Sequence, residues 1–350
     1  MPSLTPHFLQ QLRFTPEQAS TLRQLGEHRG RQGFLERQRP EVLKSLRTVA
    51  KVESSESSNR LEGILAPRSR VRELVLESTQ PRNRSEQEIA GYRDALGLIH
   101  ESQKDMPVSP PVVLQLHSML YRYLSTEGGR WKMVDNEIVE RDPEGELLRV
   151  RFRPVSAHLT SIAMDELAMS YRGALSTSVH EPLCLIPLVV LDFLCIHPFA
   201  DGNGRISRLL TLLLLYHFDY RVGRYISLER IFEESKESYY ETLERSSDGW
   251  HENKHDPYPW MNYFWGVLLR AYGEFEERVG RVGTGRGSKS QQVRQAVAAK
   301  TLPFAISEIE KDCPGVGRDT VRQVLRALRD EGKIDSKGTG RGARWHPSQA

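Results

Sequence analysis

The chain has 350 residues, of which 38% are hydrophobic and 27% are charged, a composition typical of a soluble protein with room for two or three domains. Its longest apolar run, Leu183 to Ile196, contains Pro187 and Asp192, so we predict neither a membrane-spanning segment nor a membrane partner. The three cysteines lack metal or redox spacing and the start of the chain has no secretory signal, which together predict a cytoplasmic protein.

The net charge of +3 is unevenly distributed along the chain. Residues 281–350 contain 14 lysines and arginines against 7 acidic residues, whereas residues 1–280 contain 35 against 39. A basic C-terminal module on a mildly acidic body indicates a polyanionic partner for that module only.

The N-terminal region shows helical spacing from Pro16 onward and again over residues 41–51. The serine-rich stretch Ser54–Ser58 then predicts a turn that leads into a short helix ending at Gly63. Taken alone, Gly63 after Glu62 is typical of an ordinary helix C-cap with a surface carboxylate.

Two amphipathic helices are predicted next, over residues 85–99 and 108–124, and His117 on the second is interpreted as a structural residue. The pattern then changes, because residues 131–134 and 147–152 have β character and a turn rich in Asp, Pro and Gly separates them. We predict a β-hairpin from these two segments.

Two leucine-rich helices, predicted over Pro182–Ile196 and from Asn203 onward, flank a polar loop. The loop and the first turn of the second helix read His197-Pro198-Phe199-Ala200-Asp201-Gly202-Asn203-Gly204-Arg205-Ile206-Ser207-Arg208. The two glycines allow a tight turn and close approach of a ligand to the backbone. The free N–H groups and the positive dipole end of the helix form an anion site, which both arginines can reach. Such a site suits a polyphosphate.

These residues match the signature of the Fic (filamentation induced by cAMP) family, His-x-Phe-x-[Asp/Glu]-Gly-Asn-Gly-Arg-x-x-Arg. The chain therefore resembles enzymes that transfer AMP from ATP to a protein hydroxyl. The alternative, a helix corner whose polar residues only cap and solvate, does not explain a histidine and two arginines between leucine-rich helices.

The resemblance implies that His197 is the general base toward a Ser, Thr or Tyr hydroxyl of a protein target. ATP would be the substrate, and Asp201 would hold the Mg²⁺ that bridges its phosphates.

The remaining signature residues would then bind the phosphates. The resemblance assigns the α-phosphate to the N–H groups of Gly202, Asn203 and Gly204, together with the Asn203 side chain. Arg205 would neutralise the β-phosphate and Arg208 the γ-phosphate.

A second resemblance lies upstream, where Ser58-x-x-x-Glu62-Gly63 matches the inhibitory motif [Ser/Thr]-x-x-x-Glu-[Gly/Asn] of one class of Fic proteins. It implies that Glu62 pairs with Arg208, which removes the partner of the γ-phosphate and adds a negative charge at its site. Ser58, four residues earlier on the same helix face, would help to hold that helix in place.

The same resemblance extends to other elements. The predicted hairpin resembles the family's flap, which is thought to align the target by strand addition. A helix predicted over residues 225–244 carries Tyr239 and Tyr240, which match a tyrosine pair that lines the base pocket; core packing is an equal alternative for each. A terminal helix over residues 260–272 closes the core.

The C-terminal part begins with a glycine-rich stretch over residues 280–290, predicted to be a flexible linker. Helices predicted over residues 291–299, 306–311 and 318–330, followed by an alternating segment over 333–346, resemble a winged helix-turn-helix. DNA and a protein remain equal alternatives as its partner.

The expected fold is mainly α, a Fic-fold helical core with a small β-hairpin flap and a C-terminal winged helix-turn-helix domain. The expected divisions are an N-terminal helical region with the inhibitory motif, the catalytic core, the linker and the winged helix, over residues 1–105, 106–279, 280–290 and 291–350.

Three functions compete. The first is an AMP-transferase restrained by Glu62, which would act on a protein target or on itself. The second is removal of AMP from a modified protein at the same site, and the third is a DNA-binding regulator whose Fic core senses nucleotide. The resemblance adds a homodimer as an expectation.

Overall fold

The computed structural model describes residues 1–38, 40–142, 145–176, 181–284, 288–298, 303–313, 316–337 and 344–347. The chain forms two compact units, residues 1–275 and 276–350. Helices dominate both units and the described strands form two-stranded antiparallel sheets, so the predicted mainly-α fold with a small β-hairpin is confirmed.

The first unit contains eleven described helices, the start of a twelfth and one hairpin. They are α1 (Pro6–Gln11), α2 (Pro16–Gln38), α3 (Pro40–Leu61), α4 (Arg68–Leu76), α5 (Arg84–Ser102), α6 (Pro110–Leu120), β1 (Ile138–Arg141), β2 (Leu147–Phe152), α7 (Thr160–Ser176), α8 (Pro182–Ile196), α9 (Asn203–His217), α10 (Leu228–Glu234), α11 (Lys236–Ser247) and α12 (Tyr258–Thr284). Among the described helices, none combines the length and the apolar character that crossing a bilayer requires.

Helix α8 lies at the centre of this unit. Its side chains are apolar on almost every side and nearly all are buried, as expected for a helix without a polar face. Pro187 has no N–H group, so the carbonyl of Leu183 loses its helical partner, and Nε1 of Trp265 on α12 donates to that carbonyl at 2.8 Å. Helix α9 packs against α8, and the loop between them lies at one end of the core.

The serine-rich stretch predicted as a turn is helical and belongs to α3. Its serine hydroxyls find hydrogen-bond partners without breaking the helix. Ser55 Oγ donates to the carbonyl of Lys51, one turn earlier, and Ser54 Oγ donates to the buried carboxylate of Glu229 at 2.7 Å. The helix predicted over residues 225–244 is divided into α10 and α11.

The predicted hairpin exists, but its first strand was placed wrongly. The strand that pairs with β2 is Ile138–Arg141 and not residues 131–134. Trp131 and Lys132 instead pack at the polar loop, whereas Met133 and Val134 are exposed. The Lys132 N–H donates to the carbonyl of Pro198 at 2.8 Å and its ammonium donates to the carbonyl of Ile196 at 3.2 Å. These partners are distant in sequence, so the local β pattern misplaces the strand.

The second unit contains the helices and strands in the predicted order. They are α13 (Ser288–Ala298), α14 (Ile306–Asp312), α15 (Arg318–Asp330), β3 (Ile334–Lys337) and β4 (Arg344–Pro347). The apolar stripe of α15 is buried in the core of this unit. Of the predicted linker, residues 280–284 belong to α12 and residues 288–290 to α13, while residues 285–287 lie outside the described residues. Residues 338–343 of the predicted wing also lie outside the described residues.

Candidate active site

The loop between α8 and α9 owes its shape to two left-handed residues. His197 caps α8 with φ 50° and ψ 61°, and Gly202 precedes α9 with φ 85°. The left-handed conformation is ordinary for glycine but costs a side-chain residue free energy, so the surroundings must hold His197 in place. Phe199 supplies that hold, because it is fully buried and its ring stacks on the imidazole of His117 with centroids 3.7 Å apart.

Asn203 braces the loop with both ends of its side chain. Its Oδ1 accepts from the N–H of Phe199 at 2.9 Å, and its Nδ2 donates to the carbonyl of Phe199 at 2.8 Å. A buried loop must satisfy its backbone groups, and Asn203 satisfies two of them. The Asn203 side chain, which the resemblance assigns to the α-phosphate, is thus engaged with the backbone of the loop.

His197 is arranged as a neutral base. Its Nδ1 lies 3.3 Å from the carbonyl of Leu194, and a carbonyl can only accept, so Nδ1 carries the proton and Nε2 keeps its lone pair. Burial lowers the pKa of His197 to about 4, an effect that the backbone hydrogen bond to Leu194 opposes and the Lys132 charge reinforces. The imidazole is thus unprotonated at neutral pH.

A cavity of about 290 Å³ opens in front of the loop. Most of the predicted site residues line it, namely His197, Asp201, Gly202, Asn203, Gly204, Arg208, Tyr239, Tyr240 and Glu62. The hairpin closes another side with Ile138, Arg151 and Phe152, which sequence reasoning did not place in the site. The cavity thus joins a base, an exposed carboxylate, a helix N-terminus and a guanidinium.

Arg208 is buried on the wall of this cavity. Its Nε donates to Ser58 Oγ and its Nη2 to the carbonyl of Ser58, both at 2.8 Å, while Nη2 also donates to Glu62 Oε1 at 2.6 Å. Its Nη1 is buried without a hydrogen-bond partner. An unpaired buried donor is costly, so Nη1 is a ready site for an anionic oxygen.

Glu62 reaches Arg208 because of the way α3 ends. The N–H of Ile64 donates to the carbonyl of Asn59 and that of Gly63 to the carbonyl of Arg60, with Gly63 at φ 77°. This is a Schellman ending, so the predicted C-cap and the predicted inhibitory motif are the same structure. A Cβ built on Gly204 would overlap Glu62 Oε1, which shows that the carboxylate lies directly on the N-terminus of α9. It occupies the position where an anion would bind.

Ser58 has a more direct role than predicted. The sequence suggests that it steadies the helix of Glu62, whereas the structure places it against Arg208 through both its hydroxyl and its carbonyl.

Arg205 lies outside the cavity. Its guanidinium is 1% exposed and its Nη1 donates to Glu88 Oε2 at 2.6 Å, while its Nη2 lies 3.5 Å from Asp201 Oδ2. The resemblance assigns Arg205 to the β-phosphate, and the structure places its guanidinium between a buried carboxylate on α5 and the carboxylate of Asp201. Glu88 was not singled out from the sequence, although it lies on the helix predicted over residues 85–99.

The Asp201 carboxylate is exposed to the cavity and is also held by hydrogen bonds. Its carboxylate is 60% exposed, its Oδ1 accepts from the N–H of Gly202 at 2.6 Å and its Oδ2 from the hydroxyl of Tyr121 at 3.0 Å. No group of three His, Cys, Asp or Glu side chains suited to a metal occurs in the described part of the chain. A single exposed carboxylate such as that of Asp201 suits a cation that takes most of its ligands from phosphate and water.

The two tyrosines line the cavity from α11. Tyr239 is buried, and its ring meets that of Tyr240 nearly edge-on at 5.1 Å. The hydroxyl of Tyr240 donates to the carbonyl of Leu61 at 3.4 Å, next to Glu62. Burial raises the pKa of both hydroxyls, so both rings are neutral donors on the cavity wall. They pack in the core and face the cavity, so the two alternatives from sequence are compatible.

A comparison with family models matches the part of the chain that contains the polar loop. Residues 107–215 match the family model described as the Fic/DOC family. A search of curated protein sequences finds no match.

Solved structures of similar fold include a Fic family protein from Desulfovibrio desulfuricans G20, which is 19% identical with a TM-score of 0.65 over 97% of this chain and 98% of its own. A Fic domain containing signaling protein from Bacteroides thetaiotaomicron is 21% identical with a TM-score of 0.60, covering 74% of this chain and 98% of its own. Fic-1 from C. elegans is 19% identical with a TM-score of 0.56, covering 75% and 71%. At these identities the similarity concerns the fold.

Proposed function

We propose that this chain, which carries a Fic/DOC family domain, is a protein AMP-transferase that Glu62 holds in an inhibited state. The observation that carries the proposal is the hydrogen-bonded pair of Glu62 and Arg208 in front of Gly204, in the same cavity as the unprotonated Nε2 of His197. A base and a covered anion site in one cavity suit transfer of a phosphate-bearing group to a neutral acceptor.

In the proposed reaction a Ser, Thr or Tyr hydroxyl of a protein attacks the α-phosphorus of ATP. The new bond joins the hydroxyl oxygen to that phosphorus, the bond from phosphorus to the oxygen bridging the α- and β-phosphates breaks, and pyrophosphate leaves. The proton of the hydroxyl passes to His197 Nε2, which is free to accept it because Nδ1 is held by Leu194. The products are the AMP-modified protein and pyrophosphate.

The phosphates of ATP would bind at the N-terminus of α9. The backbone N–H groups of Asn203 and Gly204 belong to its first turn and that of Gly202 directly precedes it, while Nη1 of Arg208, on the same wall, is a donor without a partner among the described residues. Both would stabilise the negative charge of the triphosphate, with Arg208 assigned to the γ-phosphate. Tyr239 and Tyr240 would line the pocket for the adenine ring of ATP.

Asp201 is the residue that would hold Mg²⁺, since it presents an exposed carboxylate to the cavity. When bound, the ion would offset charge on the triphosphate.

Inhibition would follow from competition for one site. The Glu62 carboxylate lies where the anion must bind and takes a hydrogen bond of Arg208, so ATP binds productively only when Glu62 moves away. Glu62 is 27% exposed and ends its helix, so it can move without disturbing the core.

For the second unit we propose the winged-helix interpretation. The exposed basic residues Arg322 and Arg326 lie on α15, opposite its buried stripe. A DNA-binding role predicts that Arg322→Glu with Arg326→Glu abolishes retardation of duplex DNA in a gel shift; retention of the shift, or no shift with the unaltered chain, favours a protein partner.

The test of the catalytic proposal is incorporation of label from [α-³²P]ATP into protein. Glu62→Ala should label the chain itself or a protein of a cell lysate at least tenfold more strongly than the unaltered chain. Glu56→Ala is the matched control, because Glu56 lies on the same helix and pairs with Arg60 instead. Adding His197→Ala to Glu62→Ala should abolish labelling.

Two outcomes would contradict the proposal. Equal labelling with and without His197 would remove the base from the mechanism. No labelling by Glu62→Ala, combined with release of AMP from a modified protein by the unaltered chain alone, would favour AMP removal.

A further inference from the structure

The end of α6 supports the polar loop with two side chains one helical turn apart. His117 stacks on Phe199, accepts from the N–H of Gly129 through Nδ1 at 2.8 Å and donates through Nε2 to the carbonyl of Asp201 at 3.1 Å. Its partners leave one tautomer, with the proton on Nε2. His117 therefore fixes the backbone of Asp201.

Tyr121, the second of these side chains, acts on the carboxylate of the same residue. Its hydroxyl donates to Asp201 Oδ2 at 3.0 Å, and its ring lies 4.7 Å from that of His117. A Cβ built on Gly202 would approach the Tyr121 ring at 3.5 Å, so the ring is in contact distance of the loop. Backbone and carboxylate of Asp201 are thus both held from α6.

Arg205 and Glu88 complete the set of side chains around Asp201 and Tyr121. The Arg205 guanidinium carbon lies 6.0 Å from the centre of the Tyr121 ring, and its Nη2 is 3.5 Å from the oxygen to which Tyr121 donates. Glu88 holds this guanidinium by its other nitrogen. The charge of Arg205 therefore faces Asp201 and Tyr121 from a fixed position.

A neutral hydroxyl that donates to an exposed carboxylate leaves the charge of that carboxylate available, and such outer hydrogen bonds are how proteins orient metal ligands. We infer that Tyr121 is a positioning residue for the divalent cation, holding the Asp201 carboxylate in the orientation in which it binds the ion. The inference rests on the proposed function, since it takes Asp201 as the ligand of the ion that accompanies ATP.

The experiment measures binding of Mn²⁺, as a paramagnetic substitute for Mg²⁺, by electron paramagnetic resonance. The full chain carries Glu62→Ala and is saturated with α,β-methylene ATP, so no bond is broken. Tyr121→Phe keeps the ring and removes only the hydroxyl. Tyr123→Phe is the matched control, because its hydroxyl also donates to a carboxylate, that of Asp94 at 2.9 Å, away from the cavity. Asp201→Ala sets the level of complete loss, and circular dichroism verifies that each variant is folded.

We expect Tyr121→Phe to weaken Mn²⁺ binding about tenfold and Tyr123→Phe to leave it unchanged, in line with the effect of removing an outer partner of a metal ligand. Equal Mn²⁺ affinity of Tyr121→Phe and Tyr123→Phe would overturn the inference, and the proposed function would stand if Glu62→Ala still labels protein. If Glu62→Ala binds neither Mn²⁺ nor the analogue, the proposed function fails and the inference fails with it.

Discussion

Arg208 donates two of its hydrogen bonds to Ser58 and only one to Glu62. The two residues of the proposed inhibitory motif therefore have different effects on the same guanidinium. Glu62 places a negative charge against the Arg208 guanidinium. Ser58 orients the same guanidinium through two neutral acceptors, so that Nη1 lies near Gly204. Loss of Glu62 should thus free Arg208 for phosphate without releasing it from its place.

The role of Ser58 predicts a loss of ATP affinity that appears only when Glu62 is absent. In the Glu62→Ala background, Ser58→Ala removes the acceptor of Arg208 Nε, and hydrogen bonds to charged groups contribute about 1.5–3 kcal/mol. We expect the KM for ATP to rise about tenfold, with a smaller change in kcat. Ser57→Ala, one residue away on the same buried helix segment, is the control. An unchanged KM would show that Ser58 serves only the packing of α3.

Glu88 pairs with one buried and one exposed arginine, and the two pairs should contribute differently to the free energy of unfolding. Glu88 Oε2 holds buried Arg205, and its Oε1 lies 3.1 Å from Nε of Arg84, which is 77% exposed. Glu88→Ala leaves a buried guanidinium unpaired and should lower the free energy of unfolding by about 3–5 kcal/mol. Arg84→Ala breaks only the surface pair and should change it by less than about 1 kcal/mol. Urea unfolding of both variants measures the difference, and similar losses would refute the structural importance of Arg205.

The environment of His197 predicts its titration. Burial lowers the pKa of His197 to about 4, so the ring should stay neutral in the nucleotide-free protein as the pH falls from 8 to about 5. The folded-state pKa lies below the ordinary value, so the unfolded chain takes up this proton first. His197 therefore lowers stability progressively as the pH falls below about 6.5. Carbon-detected NMR of the ring, assigned with His197→Ala, follows the titration. A midpoint near 6.5 would contradict the buried geometry.

The sequence predicted the elements whose signals are local. Apolarity on every side indicated α8, and the spacing of glycines around the loop indicated the start of α9. Gly63 indicated the end of α3, and the structure contains the pair of Glu62 and Arg208 that the resemblance implies, although the preceding serines predicted a turn where the chain is helical.

Most of the contacts that the sequence does not reveal involve a partner distant in the chain. Nothing local shows that Glu88, 117 residues before Arg205, would bind its guanidinium. Residues 131–134 have a local β pattern, and nothing local shows that the N–H of Lys132 donates to the carbonyl of Pro198 instead of to a strand. Asn203 has a nearby partner in Phe199, but the need of that backbone for hydrogen bonds arises only once the loop is buried.

The most direct test of the account follows which phosphate of ATP remains on the protein. Glu62→Ala is incubated with Mg²⁺ and either [α-³²P]ATP or [γ-³²P]ATP, with the unaltered chain and the double variant with His197→Ala alongside. We expect strong labelling from the α-phosphate by Glu62→Ala, weak labelling by the unaltered chain and none by the double variant. None of the three should be labelled from the γ-phosphate. Label from the γ-phosphate, or equal α-phosphate labelling with and without Glu62, would contradict the account.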